Sequence, residues 1–173
     1  MPGAVLILAG AAAMLAAPAP APDYQAEVER AIFEHCPRVL DGALAIDDQT
    51  ALAAIGYAAT PPRETPGGLV PRATRGTGQN TLVLSGHKKA DGGTCSVWFG
   101  GQDNKSLFKA IRKKAPKSGF SGSGRPAQLG DGTDIYSFRA SARRSLIFIA
   151  GAAGDGIGPY PTTTAVVMDT KED

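Results

Sequence analysis

The sequence predicts an α+β domain, an antiparallel sheet of about five strands with helices packed on it, in the order α-α-β-β-α-β-β-β. Three observations carry this expectation. "TLVLSGHKK" and "TCSVWFG" flank "ADGG", and an Asp-Gly between two β-prone runs marks a tight hairpin. Three stretches repeat apolar residues at helical spacing and then meet a Pro or a Gly. Three more β-prone runs, "TDIYSFRA", "SLIFIAGA" and "TTTAVVMD", close the chain, and the short turn between the first two favours antiparallel pairing.

Residues 1–22 read as a targeting segment and spacer. Ala4 to Ala17 is an apolar run of fourteen residues, short for a bilayer span and suited to the core of a signal peptide. The alternating Ala and Pro from Ala17 to Pro22 stop a helix and favour an extended spacer. The competing reading is a buried apolar N-terminal helix. No Lys or Arg precedes Arg30, and the A-x-A triplets Ala17-Pro18-Ala19 and Ala19-Pro20-Ala21 are each followed by proline, so the pattern departs from an ideal signal. The expectation is export, with no transmembrane span in the mature chain and one globular domain over residues 23–173.

"DYQAEVERAIFEHCP" predicts the first helix. Asp23 caps it, Val28, Ala31, Ile32 and His35 line one face, and Arg30 and Glu34 sit four apart on the wet side. Pro37 is expected to end it at Cys36. "DDQTALAAIG" predicts a second, shorter helix, capped by Asp47 or Asp48, with Leu52 and Ile55 apolar and Gly56 at the left-handed end. Residues 59–79 form a Pro/Gly-rich stretch that reads as a surface loop, with at most a short edge strand from Leu69 to Arg72. The hairpin follows, and then "DNKSLFKAIRKKAP" predicts the inserted third helix. Leu107, Phe108, Ile111 and Ala115 form its buried stripe, Lys105, Lys109, Arg112 and Lys113 its exposed side, and Pro116 its end. "SLIFIA" is apolar at every alternating position, which places it centrally with both faces covered.

The chain has two cysteines, Cys36 and Cys95, and an exported chain with an even number points to a disulfide between them. Two buried free thiols, or an intermolecular or catalytic cysteine, are the alternatives. With Cys95, Val97 and Phe99 turned to the first helix, period-two alternation sends Trp98, the only tryptophan, to the other side of the strand. The pieces "FEHC" at Phe33 to Cys36, "GY" at Gly56 and Tyr57, and "CSV" at Cys95 to Val97 loosely resemble uncharacterised families of small exported bacterial proteins. The resemblance implies export and a small α+β domain, and no known activity.

Charge is unevenly spread although the formal net is only +2. Asp23 to Thr50 holds seven acids and two bases, and Gln102 to Arg144 ten bases and three acids. Most such asymmetry is a solvated surface. If it marks contact, Trp98 with Lys105, Lys109, Arg112 and Lys113 are the first candidates, helped by Arg139, Arg143 and Arg144, and the partner is an anionic lipid or glycan surface. Nucleic acid is not expected, because no aromatics interleave with the lysines.

Catalytic patterns fall short of their requirements. His35 and His87 are the only histidines, and neither sits in a metal-ligand spacing, so no metal or cofactor is expected. "GFSGS" at Gly119 to Ser123 misses the last glycine of a nucleophile elbow and the helix that should follow it. "GDGIG" at Gly154 to Gly158 runs into Pro159 and Pro161 where a dinucleotide loop needs a helix. Asp131 and Asp134 flank a turn and fit turn chemistry. The leading expectation is therefore an exported, non-enzymatic binding or structural domain. The alternative is a small hydrolase with its site near His87, between the Gly-rich loops and the hairpin.

Overall fold

The Asp23 carboxylate accepts a hydrogen bond from the Gln25 amide and starts helix α1, Tyr24–Arg30. The computed structural model describes residues 23–89, 92–100, 104–122, 126–128, 134–140, 144–150 and 162–169. The hairpin turn at 90–91, the proposed targeting segment, and the "GDGIG" and Asp131 stretches lie outside them.

Helix α1 does not stop at Cys36 as its proline predicts. It runs through a π-helical turn, Ala31–His35, into helix α2, Cys36–Leu40. The Cys36 amide reaches the Ala31 carbonyl, one residue further back than in an α-helix. This wider turn lets Pro37 enter in the first turn of α2, where its missing N–H has no α-helical duty. The continuation carries Val39 and Leu40 into the core. Arg30 and Glu34 are both exposed, as expected, and Arg30 bonds Glu27 one turn back, at 2.8 Å.

Helix α3, Gln49–Ala54, is capped by Asp48, which accepts from the Thr50 and Ala51 amides. Its end is a Schellman motif: the Tyr57 amide bonds the Leu52 carbonyl and the Gly56 amide the Ala53 carbonyl. Gly56 sits at φ +79°, and a Cβ there would lie 2.6 Å from an Arg75 nitrogen, so both backbone and packing call for glycine.

The described strands form one antiparallel sheet of eight, not about five, in the order β1-β2-β3-β4-β8-β7-β6-β5. They are β1 Ala58–Thr65, β2 Gly68–Arg75, β3 Leu82–Lys89, β4 Gly92–Gly100, β5 Pro126–Gln128, β6 Asp134–Ala140, β7 Arg144–Ala150 and β8 Thr162–Asp169. Helix α4, Asn104–Lys114, is inserted between β4 and β5. The anticipated loop at 59–79 is mostly the β1–β2 hairpin. Pro61 and Pro62 are tolerated because β1 is an edge strand and its register breaks between Thr60 and Arg63. Pro71 precedes the four residues of β2 that pair with β3. The last strand, β8, inserts between β4 and β7, so the C-terminal segment is central.

The helices pack on one face. Cys95, Val97 and Phe99 of β4, Leu84 of β3, Leu146 and Phe148 of β7, and Ala165 and Val167 of β8 have no exposed surface and share a core with Val28, Ile32, Leu52 and Ile111. Burying a side chain such as Phe99 stabilises by roughly 1.5–3 kcal/mol. On β7, Leu146 and Phe148 face this core, whereas Ile147 and Ile149 on the opposite face are only half-buried. Coverage of both faces of that strand, anticipated from its sequence, is therefore complete on the helix side alone among the described residues.

Cys36 and Cys95 are joined, with a Cα–Cα distance of 5.3 Å, and neither has exposed surface. The bond ties the start of α2 to β4 across a loop of 59 positions. On the chain-entropy account, a loop of that length removes about 4 kcal/mol from the unfolded state. Replacing both cysteines with alanine is expected to lower the urea unfolding free energy by about that amount, less any relaxation of the native state. An unchanged midpoint and slope would mean that the helix holds to the sheet without the bond.

Candidate functional site

Strand alternation assembles a site on the face away from the helices. Register places Val83, Trp98 and Thr164 side by side across β3, β4 and β8, and the neighbouring row holds Arg72, Ser85 and Ser96. Trp98 is 8 % exposed, because the β1–β2 hairpin reaches over it. The guanidinium carbons of Arg63 and Arg72 stand 5.3 and 5.1 Å from its ring centroid. Each such cation–π contact contributes about 0.5–2 kcal/mol, more as water is excluded.

Next to the indole opens a cleft of about 520 Å³. Arg63 and Thr65 bound it from β1, Ser85, His87 and Lys89 from β3, and Thr94 and Ser96 from β4. Asp169 is the acid on its lining, and its carboxylate is held by the Arg144 Nε at 3.0 Å. Arg144 also binds Asp41 at 2.8 Å. Burial disfavours the Arg144 charge, but the hydrogen bonds to Asp41 and Asp169 more than offset this and raise its pKa above the ordinary value. Arg63 and Lys89 stand on the lining with hydroxyls between them, and among the described residues Asp169 is the acid there. Such a surface attracts an anion whose remaining groups donate and accept hydrogen bonds. The Ser85 hydroxyl already donates to the Pro71 carbonyl at 3.1 Å. The Nδ1 of His87 and the Nε of Arg72 are buried without partners.

The contact set expected from sequence divides between two faces. Helix α4 packs on the core side through Ile111, with Ala115 just past its end, whereas Trp98 looks out of the other side of the sheet. Lys109 and Lys113 are exposed on α4. Arg112 is half-buried, its guanidinium 4.6 Å from the Tyr136 ring centroid, so it covers core aromatics. Lys114 is paired with Glu29, Arg144 with two aspartates, and Arg139 is exposed on β6. The Lys105 side chain and Arg143 lie outside the described residues. Trp98 and the basic helix face therefore do not form one surface.

Ser121, the nucleophile position of "GFSGS", donates its hydroxyl to the Arg139 carbonyl at 3.1 Å. Among the described residues no three His, Cys, Asp or Glu side chains cluster as metal ligands, and no helix is long and apolar enough to cross a membrane. Arg63, Arg72 and Thr65 were missed by sequence reasoning, being hidden in the Pro/Gly-rich stretch. The alternation of Val70, Arg72 and Thr74 against Pro71, Ala73 and Arg75 was the one signal that could have shown them. No protein-family model, curated protein or solved structure matches the chain.

His35 belongs to the helix layer. It is 5 % exposed, edge-on to the Tyr57 ring with centroids 5.9 Å apart, and its Nδ1 has no partner. Burial pushes its pKa below the ordinary 6.5, and the nearby Arg38 and Arg30 add to this while Glu34 and Glu27 oppose it. The unfolded chain therefore binds this proton first as pH falls. Stability is whole above about pH 6.5 and declines as pH drops toward the lowered value, levelling below it. Urea midpoints at about pH 7.5 and about pH 5 should differ less in His35→Gln than in the parent protein; equal differences would remove His35 as the source.

Proposed function

We propose that the protein is an exported, non-enzymatic binding domain that takes a small anionic ligand in the Trp98 cleft. The class of ligand is a phosphate- or carboxylate-bearing saccharide. The observation that carries this is the cleft itself, where Arg63 and Lys89 stand beside Trp98 and the hydroxyls of Thr65, Thr94 and Ser96. Cations meet the acid group, hydroxyls meet the sugar's own hydroxyls, and the indole supplies apolar surface at the wall. Trp98 is already covered by two guanidinium groups, so it supports the arginines rather than stacking on a ligand. The apolar N-terminal run and the disulfide support export.

A small hydrolase near His87 is the second reading, favoured by the position of His87 on the cleft wall. It is weakened by the unpartnered Nδ1, since a general base needs a second group to hold its tautomer. Turnover of a generic ester, peptide or glycan substrate that disappears in a folded His87→Ala variant would establish it.

Trp98 is the only tryptophan, so its fluorescence reports on the cleft directly. Glucose 6-phosphate and glucuronate are expected to change the emission, with an apparent affinity that falls as salt rises, while glucose does not. Lys89→Gln should weaken this binding about tenfold, as loss of a charge-assisted hydrogen bond does. Equal responses to glucose, or none to either acid, would refute the proposal. A response to anionic vesicles alone would move the ligand from a saccharide to a lipid surface.

A further inference from the structure

The apolar face of β2 runs on past the edge of the core. By alternation Ala73, Pro71 and Leu69 share the helix side of the strand. Exposure climbs along them: Ala73 has none, Pro71 is half-buried and Leu69 is 67 % exposed. Leu69 is the one exposed large apolar side chain among the described residues. Beside it lies a notch rather than a flat surface. One cavity, of about 280 Å³, is lined by Ala59, Pro62, Leu69 and Pro71. A second, of about 250 Å³, is lined by Val39, Leu44 and Ala45. Ile46, Asp47 and Pro71 line both, so the two adjoin.

Charge at the notch selects what can fill it. Asp47 lines both cavities, and Glu64 stands opposite Leu69 in the β1–β2 register. Both acids are exposed, with no hydrogen-bond or ion-pair partner among the described residues. The cations nearby are engaged elsewhere: Arg72 lies against the Trp98 ring, and Lys88 donates to the Asp41 carbonyl. An anion is repelled here, and a wholly apolar group leaves both acids unanswered. The notch calls for aliphatic surface and cations on one occupant. The chain itself carries such a surface. Lys109 and Lys113 on α4, and Lys117 in the turn that follows it, fall four apart on one side. All three are exposed and have no acidic partner among the described residues. Lysine stems cover apolar surface while their ammonium heads reach past it. Within one molecule the two surfaces stay apart, because α4 packs against α1 and β8, and β3 and β4 separate β8 from the β1–β2 hairpin.

We propose that the notch of one copy receives the lysine stripe of a second, so that the protein associates head to tail. The lysine stems lie on Leu69 and Pro71, and the ammonium groups answer Asp47 and Glu64. The opposite charge excesses of residues 23–50 and 102–144 add to the attraction. Notch and stripe are different surfaces, so each copy offers one of each and the contact does not close on a two-fold axis. Small patches and exposed charges make the association weak and salt-sensitive. This contact is separate from the Trp98 cleft and does not rest on it.

The test is sedimentation velocity on the oxidised protein. Average mass is expected to rise with concentration at low salt and to return to the monomer at about 1 M salt, where the screening length is about 3 Å. Leu69→Ser, a change at an exposed site, should weaken association about tenfold or more. Two neutralised variants carry the decisive arm. Leu69→Ser with Asp47→Asn and Glu64→Gln disables the notch, and Lys109→Gln with Lys113→Gln disables the stripe. Each alters exposed side chains and should keep the parent's urea midpoint. At a concentration where each alone is monomeric, their equimolar mixture is expected to form one-to-one pairs and nothing larger, because each keeps the surface the other lacks. A parent that stays monomeric at millimolar concentration in low salt, a parent that stops at a dimer, or a mixture that stays monomeric would each overturn the proposal. Binding of a lysine-rich peptide by a parent that never self-associates would give the notch to a foreign basic segment and overturn it equally.

Discussion

Alternation along β4 sets what each face of the molecule can do. Cys95 is bonded to the helix layer, so Val97 and Phe99 must follow it inward, and Ser96 and Trp98 must face out. A slip of one residue would bury Ser96 and Trp98 against the helices and put Val97 and Phe99 in water. The covalent tie, the fully buried apolar set of β4 and the shape of the outer cleft are therefore one constraint seen from two sides. The disulfide does not make the sheet, but it selects which face of it receives the helices.

The outer face becomes a cleft rather than a flat surface because the β1–β2 hairpin extends beyond its pairing with β3. Register joins β2 to β3 only over Arg72–Arg75, and the rest of the hairpin overhangs. That overhang carries Arg63 and Thr65 to the mouth and lays Arg63 against the indole, beside Arg72 from the paired part of β2. Guanidinium groups are planar and weakly hydrated, which lets them lie on a ring while keeping N–H groups at their edges free to bond elsewhere. Lysines could not do both. Trp98 thus organises cations, a role consistent with an indole that is 8 % exposed.

Local signals in the sequence were reliable where one segment carries its own pattern. Asp23 and Asp48, through their carboxylates, and Gly56, through its left-handed backbone, act at the helix ends as their residue types predict, the β3–β4 pairing is in place, and Cys36 meets Cys95. Failures occurred where a neighbour decides. Pro37 reads as a stop, and the π turn before it removes the conflict that makes it one. Pro61, Pro62 and Pro71 made a strand pair look like a loop, because edge position and bulging are tertiary facts. Lys109 and Arg112 stand out as a charge run, yet the run does not say which side of the sheet its helix will cover. Arg63 and Arg72, which touch the tryptophan, lie in the stretch that composition makes least informative.

Both faces of the sheet depend on the placement of β2. Arg72 points outward to Trp98, and Arg75, three residues on, pairs opposite Leu82 on the core side and reaches Glu27. Odd spacing puts the two arginines on opposite faces, so a one-residue shift of β2 would exchange them and dismantle the Trp98 cleft and the Glu27–Arg75 ion pair together. Two features hold the register. Ala73, with no exposed surface, faces Leu84 in the core, where an arginine would not fit. Gly56 leaves the space that the Arg75 guanidinium fills, so the bend after α3 accepts that side chain and no longer branch of its own. Specificity on either face is therefore tuned by residues on the hairpin and the helices, while the shared strand stays fixed between them.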